Sequence, residues 1–194
     1  GNSLHLPAYV LDRERDAGRV VLPDGETTLD FTCFRGEDLL SDLRNRDFTM
    51  NAMALPVAAR TQASLIDPCS GLADLTAELI RQTHPTAVEH DPVRAMRAAR
   101  HAADFEFVIE DETRHAVRRA AALLDRVSIE RTRDELLKMM RSPAPDKALA
   151  AMQDLNLLPA ADLQMKGTKP VDPAPVPGVY KLAGLHTEGK KGRK

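Results

Sequence analysis

The sequence predicts a mixed α+β fold in which short β-strands come first and α-helices follow. In the first third of the chain, short runs rich in Val, Leu, Thr and Phe are separated by turn residues, which is the pattern of strands. From residue 92 onward, apolar side chains recur every three or four residues, the period of an amphipathic helix. Strands and helices in separate blocks are typical of the α+β class. At 194 residues, the chain has room for one domain or two small ones.

Three strands are predicted at residues 8–12, 19–22 and 28–34. Pro23-Asp24-Gly25 marks a tight turn between the second strand and the third. In the third strand apolar and polar side chains alternate, so that Asp30 shares one face with two threonines. Aspartate is disfavoured in the middle of a strand, and an exposed polar face is the simplest explanation for it.

The middle of the chain predicts shorter elements. Leucines at helical spacing predict a helix over residues 37–43. Residues 53–57 and 65–66 are predicted to form the arms of a hairpin, and residues 72–79 a helix that follows a turn. We interpret residues 83–90 as a loop that acts as a hinge to the second half of the chain.

The second half predicts a helical domain. Its four helices are expected at residues 92–105, 112–124, 128–141 and 145–155. The first helix carries a basic ridge, because Arg94, Arg97 and Arg100 recur every three residues. Ser128 is predicted to cap the third helix, on which Arg131 is predicted to point away from the core face.

Asp91 and Arg94 flank the predicted start of the first helix at Pro92. Proline is well tolerated in a first helical turn, and Asp91 before it is a good N-cap residue. A carboxylate beside a guanidinium can also read a nucleobase edge, because it accepts from an exocyclic amino group while the Arg donates to the adjacent ring nitrogen. Cytosine and adenine offer that pattern. The alternative is a helix cap with a local ion pair and no ligand.

Five segments, in this order, carry a resemblance to a known family. They are RDFTMNAMA at 46–54, LIDPCSGLADL at 65–75, Ile80-Arg81, HDPVRAMRAAR at 90–100 and SIERTRDELLKMM at 128–140. Over residues 8–158 the chain resembles the class II tRNA nucleotidyltransferases (CCA-adding enzymes) and the related bacterial poly(A) polymerases. The resemblance implies an incomplete nucleotidyltransferase palm (head) sheet at 1–82 and an all-α neck at 83–158. The Pro-rich, basic remainder, 159–194, is expected to be a mobile tail.

The resemblance also implies a set of nucleotide-binding residues. These are Arg46, Asp47, Asn51, Asp91, Arg94 and Arg97. The first three match residues that lie against the sugar of the incoming nucleotide, and Asp91 with Arg94 matches the pair that templates the base. The implied substrates are ATP and CTP, and the implied partner is RNA, with tRNA as the expected class. The alternative for Asp47 is that it caps a short turn beside core side chains.

Asp30 matches a palm-strand carboxylate that, in the family, faces a metal-binding D-x-D motif. The resemblance therefore implies a catalytic, Mg²⁺-binding role for Asp30, with Mg²⁺ as the cofactor of the complete enzyme. No D-x-D motif after a Gly-rich turn occurs in these 194 residues. Because one carboxylate cannot hold two magnesium ions, we expect the isolated chain to be inactive. Truncation, a second chain that supplies the motif, and a pseudoenzyme all remain open.

Three positions depart from the family pattern. Asn45 stands where relatives often have Arg, His90 where they usually have Glu, and His101 where they usually have Phe. The His90 change weakens any transfer of the family's nucleotide preference. His90-Asp91 also resembles the metal dyad of HD phosphohydrolases, but the other histidines do not complete a ligand set of that spacing.

Composition excludes several classes of protein. A net charge of −2 argues against a uniformly basic nucleic-acid binder, and 4% aromatic residues argue against wide base-stacking platforms. Two cysteines fit a reducing compartment, and no apolar run is long enough for a membrane span, so we expect a cytoplasmic protein. Two function classes remain: the head–neck part of an enzyme that adds C or A to an RNA 3′ end, or a non-catalytic nucleotide- or RNA-binding subunit.

Overall fold

The computed structural model describes residues 6–13 and 16–158 of the chain. It has the predicted mixed α/β architecture, with a small sheet followed by helices. The strands are β1 (Ala8–Asp12), β2 (Ala17–Val21), β3 (Thr28–Phe31), β4 (Leu79–Ile80) and β5 (Val108–Ile109). The helices are α1 (Leu39–Arg44), α2 (Gly71–Thr76), α3 (Ala87–His90), α4 (Val93–Phe105), α5 (Asp111–Ala121), α6 (Ile129–Met140) and α7 (Pro145–Asp154). Short 3-10 turns lie at Thr49–Asn51, Gln62–Ser64 and Leu124–Arg126.

The first three strands form an antiparallel sheet in the order β1-β2-β3. The predicted turn joins β2 to β3, with Gly25 at a φ of 73° and the Asp24 carboxylate accepting from the Thr27 N–H. The third strand ends at Phe31 instead of residue 34, because Phe31 pairs with Gly18 and β2 has only one residue beyond that pair.

The three-stranded sheet contributes no residue to the buried hydrophobic core of the described part of the chain. Val10, Leu29 and Phe31 are each between 45% and 61% exposed. The core lies instead around α4, which packs against α5, α6 and α7. Small side chains on α4, such as Ala95 and Ala99, are fully buried and let the neighbouring helices approach closely.

The prediction of a hairpin at 53–57 and 65–66 is wrong in the number of residues that pair. A single antiparallel bridge joins Ala54 to Ile66, and the connection between them contains a 3-10 turn. The helix predicted at 72–79 is also too long, because it ends at Thr76 and Glu78 adopts a positive φ of 54°. Beyond Glu78 the chain is extended and forms β4, which pairs in parallel with β5.

The predicted hinge loop contains the short helix α3, in which Ala87 and Val88 are fully buried. The four predicted helices of the second half are confirmed as α4 to α7, with ends that differ by a few residues. Ser128 occupies the N-cap position of α6, but its side chain makes no capping hydrogen bond, so that detail of the prediction is wrong. The predicted tail lies outside the described residues. Among the described helices, none is long and apolar enough to cross a membrane.

Candidate functional site

A polar cleft of about 680 Å³ opens between the β3–α1 connection, the segment after α1, and helices α4 and α6. Its lining includes all six residues that the sequence predicted to bind nucleotide: Arg46, Asp47, Asn51, Asp91, Arg94 and Arg97. These residues come from two segments that lie forty positions apart, at 46–51 and 91–97. The fold therefore brings together side chains that the sequence could group only by resemblance.

Arg46 enters the cleft just after the end of α1. Its Nε and Nη2 donate to the buried Asp42 carboxylate at 3.2 and 3.0 Å, and its Nη1 donates to the carbonyl of Asn51 at 3.4 Å. Asp42 lies one helical turn earlier, where an i,i+4 ion pair forms readily. The Arg46 guanidinium is thus held in one direction by a side chain on the helix that precedes it.

Asp47 is the most heavily bonded carboxylate of the cleft. One oxygen accepts from the Phe48 N–H at 2.8 Å and from the Asn51 amide at 3.4 Å, and the other accepts from Arg97, with nitrogens at 2.6 and 2.8 Å. Burial pushes the pKa of Asp47 up, but Arg97 and the Phe48 N–H outweigh it and the pKa is lowered. The alternative that Asp47 caps a short turn is wrong, because the N-cap of the 3-10 turn at Thr49–Asn51 is Phe48 and no side chain caps it; the Asp47 carboxylate lines the cleft instead.

Asp91 does not cap α4, which corrects the prediction. The helix begins at Val93 after Pro92, and no side chain caps it. The Asp91 carboxylate instead accepts from the Nη2 of Arg131, on α6, at 2.7 Å, and lies 3.8 Å from the Nε of Arg94. As predicted, Arg131 points away from the core face of α6, with a side chain that is 44% exposed, and in that direction it meets Asp91. Asp91 Oδ1 has no hydrogen-bond partner among residues 6–13 and 16–158.

Arg94 joins the two halves of the chain. Its Nη1 donates to the carbonyls of Arg46 and Ala87, and its Nη2 to the carbonyl of Asn45, at 2.9 to 3.1 Å. The side chain is buried, and burial lowers the pKa of its guanidinium. Most of its donors serve the protein itself, while the Nε makes no hydrogen bond within the described part of the chain.

Glu135 on α6 completes the charge network. This buried carboxylate accepts from Lys138 at 2.6 Å and Arg100 at 3.1 Å, and lies 3.6 Å from Arg97. Burial alone would raise the pKa of Glu135, but the three cations lower it. Arg97 is therefore held between two carboxylates, Asp47 on one side and Glu135 on the other.

Asp30 lies apart from the other predicted site residues. It does not line the cleft, and both of its oxygens accept from Arg19, at 2.5 and 2.6 Å. Hydrogen bonds from Arg19 hold the pKa of Asp30 below its usual value. Within the described ranges, no group of three or more His, Cys, Asp or Glu side chains could hold a metal ion. The described residues thus do not by themselves fit a Mg²⁺ site, and we derive no step through the metal.

Several cleft residues were not predicted from the sequence. They are Arg35, Asp42, His101, Arg131, Glu135 and Lys138. The last three recur at spacings of four and three on α6, so a search for a polar face on that helix would have found them. Asp42 could be found from its i,i+4 spacing to Arg46. Arg35 and His101 carry no pattern that points to a site.

Comparison with known families gives two matches. The family described as "Poly A polymerase head domain" matches residues 10–81, and the family described as "Probable RNA and SrmB- binding site of polymerase A" matches residues 106–161. The first match contains most of β1, all of β2 and β3, and the Arg46–Asn51 part of the cleft. The second begins just after α4 and contains the helices that pack on it.

The curated proteins similar to this chain in sequence include tRNA nucleotidyltransferases. The chain is 38% identical to the A-adding tRNA nucleotidyltransferase of Deinococcus radiodurans over 156 residues, which are 78% of this chain and 34% of that protein. It is 39% identical to the CC-adding tRNA nucleotidyltransferase of Geobacter sulfurreducens over 70% of this chain and 31% of that protein. The chain thus spans about a third of the length of these curated relatives.

A solved structure extends the likeness to three dimensions. A tRNA nucleotidyltransferase in complex with a primer tRNA and an incoming ATP analogue superposes with a TM-score of 0.72 at 28% identity. The superposition covers 82% of this chain and 48% of that one. A CCA-adding enzyme in complex with CTP gives a TM-score of 0.71, also at 28% identity, over 82% of this chain and 40% of its own.

Proposed function

This chain belongs to the family of class II tRNA nucleotidyltransferases, and on that premise we propose that it is the nucleotide-selecting head–neck part of an enzyme that adds C, A or both to a tRNA 3′ end. The substrates would be CTP and ATP. The single observation that carries the proposal is the cleft, where Asp91 and Arg94 at the start of α4 face Asp47 and Asn51 from the segment after α1.

The base-reading role rests on the hydrogen-bonding atoms of Asp91 and Arg94 that other described residues do not occupy. Arg131 occupies Asp91 Oδ2, and three main-chain carbonyls occupy most of the Arg94 donors. Asp91 Oδ1 can accept from an exocyclic amino group, while Arg94 Nε can donate to the neighbouring ring nitrogen. Cytosine and adenine present that pair of groups. Uracil and guanine place a carbonyl opposite the carboxylate and leave two acceptors facing each other.

We assign ribose binding to Asp47 and Asn51. Asp47 is buried and held charged by Arg97, and the Asn51 amide donates to it. A charged carboxylate accepts strongly from a hydroxyl, and the amide oxygen of Asn51 supplies a second acceptor. Arg97 is therefore a positioning residue, since its contacts are with Asp47 and Glu135.

We retain Asp30 as a predicted reaction-centre carboxylate and Mg²⁺ as the predicted cofactor of the complete enzyme. Both Asp30 oxygens are bound to Arg19, so a metal-binding role requires that pair to open and further ligands to join it. The base-reading proposal does not depend on this role, because Asp30 lies outside the cleft.

The test is a nucleotide titration of the chain followed by NMR, with CTP, ATP, UTP and GTP. We expect wild type to prefer CTP or ATP over UTP and GTP by roughly five- to 150-fold, because an opposed pair of acceptors costs about 1–3 kcal/mol. Asp91→Asn should erode that preference more than the affinity, since an amide can turn either a donor or an acceptor to the base.

Asp125→Asn is the matched control, because Asp125 is an exposed aspartate outside the cleft, on the turn after α5. It should behave as wild type with all four nucleotides. Equal affinity of wild type for all four nucleotides would contradict the base-reading role and leave Asp91 as a partner of Arg131 alone.

A further inference from the structure

Arg35 differs from every other basic residue that lines the cleft. It lies in the connection between β3 and α1, and its side chain is exposed to the cleft. Among the residues that the structure describes, its guanidinium has no hydrogen-bond or ion-pair partner, whereas its main-chain N–H is bonded. An unpaired guanidinium at the mouth of a ligand cleft offers five donors in a planar fork.

The other cations of the cleft are all committed to the protein. Their partners are Asp42 for Arg46, Asp47 for Arg97, Asp91 for Arg131, Glu135 for Lys138 and main-chain carbonyls for Arg94. The lining holds six basic and five acidic residues, so the charge that remains uncompensated is positive. That excess is located on Arg35.

The β3–α1 connection is held firmly enough to aim this side chain. The Arg35 N–H donates to Asp42 Oδ1 at 3.0 Å, the oxygen that Arg46 does not use. Gly36 lies so close to α1 that a Cβ there would fall 2.3 Å from the Ser41 hydroxyl. Ser41 in turn forms a capping box with Asp38. These contacts hold the backbone at Arg35 and the residues that follow it against the first turn of α1.

The position of Arg35 concentrates positive potential at one side of the cleft. Burial lowers the pKa of Arg94, and the positive charges of Arg35 and Arg97 lower it further. The negative charges of Asp91 and Asp47 raise that pKa but do not outweigh the burial. Like charges repel one another, and an anion bound between them relieves the repulsion. The site is thus suited to a ligand that carries several negative charges.

We propose that Arg35 binds the phosphate groups of the nucleotide held in the cleft. The proposal rests on the proposed function, because it needs a nucleotide in the cleft. The guanidinium fork matches two non-bridging phosphate oxygens, and the resulting charge-assisted hydrogen bonds are about twice as strong as neutral ones. Arg35 then selects nucleotides over nucleosides, while Asp91 and Arg94 distinguish one base from another.

The test compares CTP with cytidine on wild type and on Arg35→Gln, by NMR titration of the 194-residue chain. We expect Arg35→Gln to weaken CTP binding roughly tenfold, which is about 1.4 kcal/mol, because the variant loses charge-assisted hydrogen bonds to phosphate. Cytidine affinity should stay the same. The CTP affinity of Arg35→Lys should lie between those of wild type and Arg35→Gln, because lysine keeps the positive charge but lacks the planar guanidinium.

Arg60→Gln is the matched control, because Arg60 is an exposed arginine outside the cleft whose guanidinium bonds its own loop. It should leave both ligands unaffected. An equal loss of CTP and cytidine in Arg35→Gln would overturn the proposal in favour of a structural role. Unchanged CTP binding, or a loss seen only with a tRNA lacking its 3′ end, would also overturn it. Wild type that binds neither CTP nor cytidine would instead refute the proposed function.

Discussion

The chain contains an Asp–Arg ion pair in each of two very different surroundings. In the three-stranded sheet, Asp30 and Arg19 lie 2.5 Å apart with side chains that are 50% and 34% exposed. In the cleft, Asp47 and Arg97 lie 2.6 Å apart, and the Asp47 side chain is only 9% exposed. The distances are alike, so the difference between the two pairs lies in the solvent around them.

That difference decides what each pair can do. Water and salt screen an exposed pair, which then contributes little to stability or to the placement of a ligand. A buried pair with further hydrogen bonds fixes the geometry of both groups, and removing one partner leaves an uncompensated charge. Asp47 has such bonds from Phe48 and Asn51, whereas Asp30, within the described ranges, has Arg19 alone. The region around α4 is therefore built to position ligands.

Arg94→Met should show the contrast most strongly. The Asn45 and Ala87 carbonyls lose their charged donor, while the Arg46 carbonyl keeps the Thr83 hydroxyl at 2.6 Å. We expect the free energy of unfolding to fall by about 3–5 kcal/mol, measured by urea denaturation. The matched control, Arg19→Met in the sheet, should move the urea midpoint far less. Equal shifts in the two variants would refute the contrast.

His101→Phe should raise the stability of the same region. His101 is buried between Phe48 and Phe105, and neither ring nitrogen has a hydrogen-bond partner among the described residues. An unsatisfied buried polar group costs about 1–3 kcal/mol, and phenylalanine removes it. We expect a gain of that order in the free energy of unfolding at neutral pH.

The same substitution should flatten the pH dependence of stability. Burial lowers the pKa of His101 from 6.5 to about 4. The charges of Arg100 and Arg97 also lower it, whereas those of Asp47 and Asp104 raise it by less. Because the unfolded state takes up a proton first, wild type should lose stability as the pH falls from 6.5 to about 4. His101→Phe should lack that loss, and His115→Gln, at an exposed histidine on α5, should keep it. A parallel decline in His101→Phe and wild type would contradict this assignment.

The limits of sequence reasoning follow the same division. Short-range patterns were sufficient for β1, for the turn at Gly25 and for α4, because turn chemistry and helical period are local. They failed at 72–79, where the helix ends at Thr76, Glu78 has a positive φ, and the chain becomes a strand paired with residues 29 positions away. Long-range pairing leaves no local signal in one sequence.

The site shows a similar pattern of success and failure. The resemblance supplied Asp47 and Arg94, which the structure places in one cleft. It did not identify the Asp91–Arg131 bond. The local sequence predicts Asp91 as an N-cap residue and Arg131 only as a residue that points away from the core face of α6. Arg35 was missed because its significance lies in the partner that it lacks, and only three-dimensional coordinates give that information.

Arg131→Gln should have a smaller effect, confined to nucleotide selection. Arg131 holds Asp91 Oδ2 at 2.7 Å and thereby leaves Oδ1 for the ligand. Without it the carboxylate can rotate, and we expect the preference for CTP or ATP over UTP and GTP to fall roughly three- to tenfold. The unfolding free energy should change little, because both side chains are partly exposed. A full loss of all nucleotide binding would show a direct role for Arg131.

Asp30→Asn should have the smallest effect of these substitutions, which makes it the sharpest test of the contrast. The Asp30–Arg19 pair is exposed, so the urea midpoint should move little and the small shift should shrink further between 50 mM and 500 mM NaCl, as screening predicts. Its affinity for CTP should equal that of wild type, because Asp30 does not line the cleft. Reduced CTP affinity in Asp30→Asn would place the carboxylate in contact with the nucleotide and join the two regions into one site. A large, salt-independent loss of stability would show instead that the sheet depends on this pair as strongly as α4 depends on Arg94.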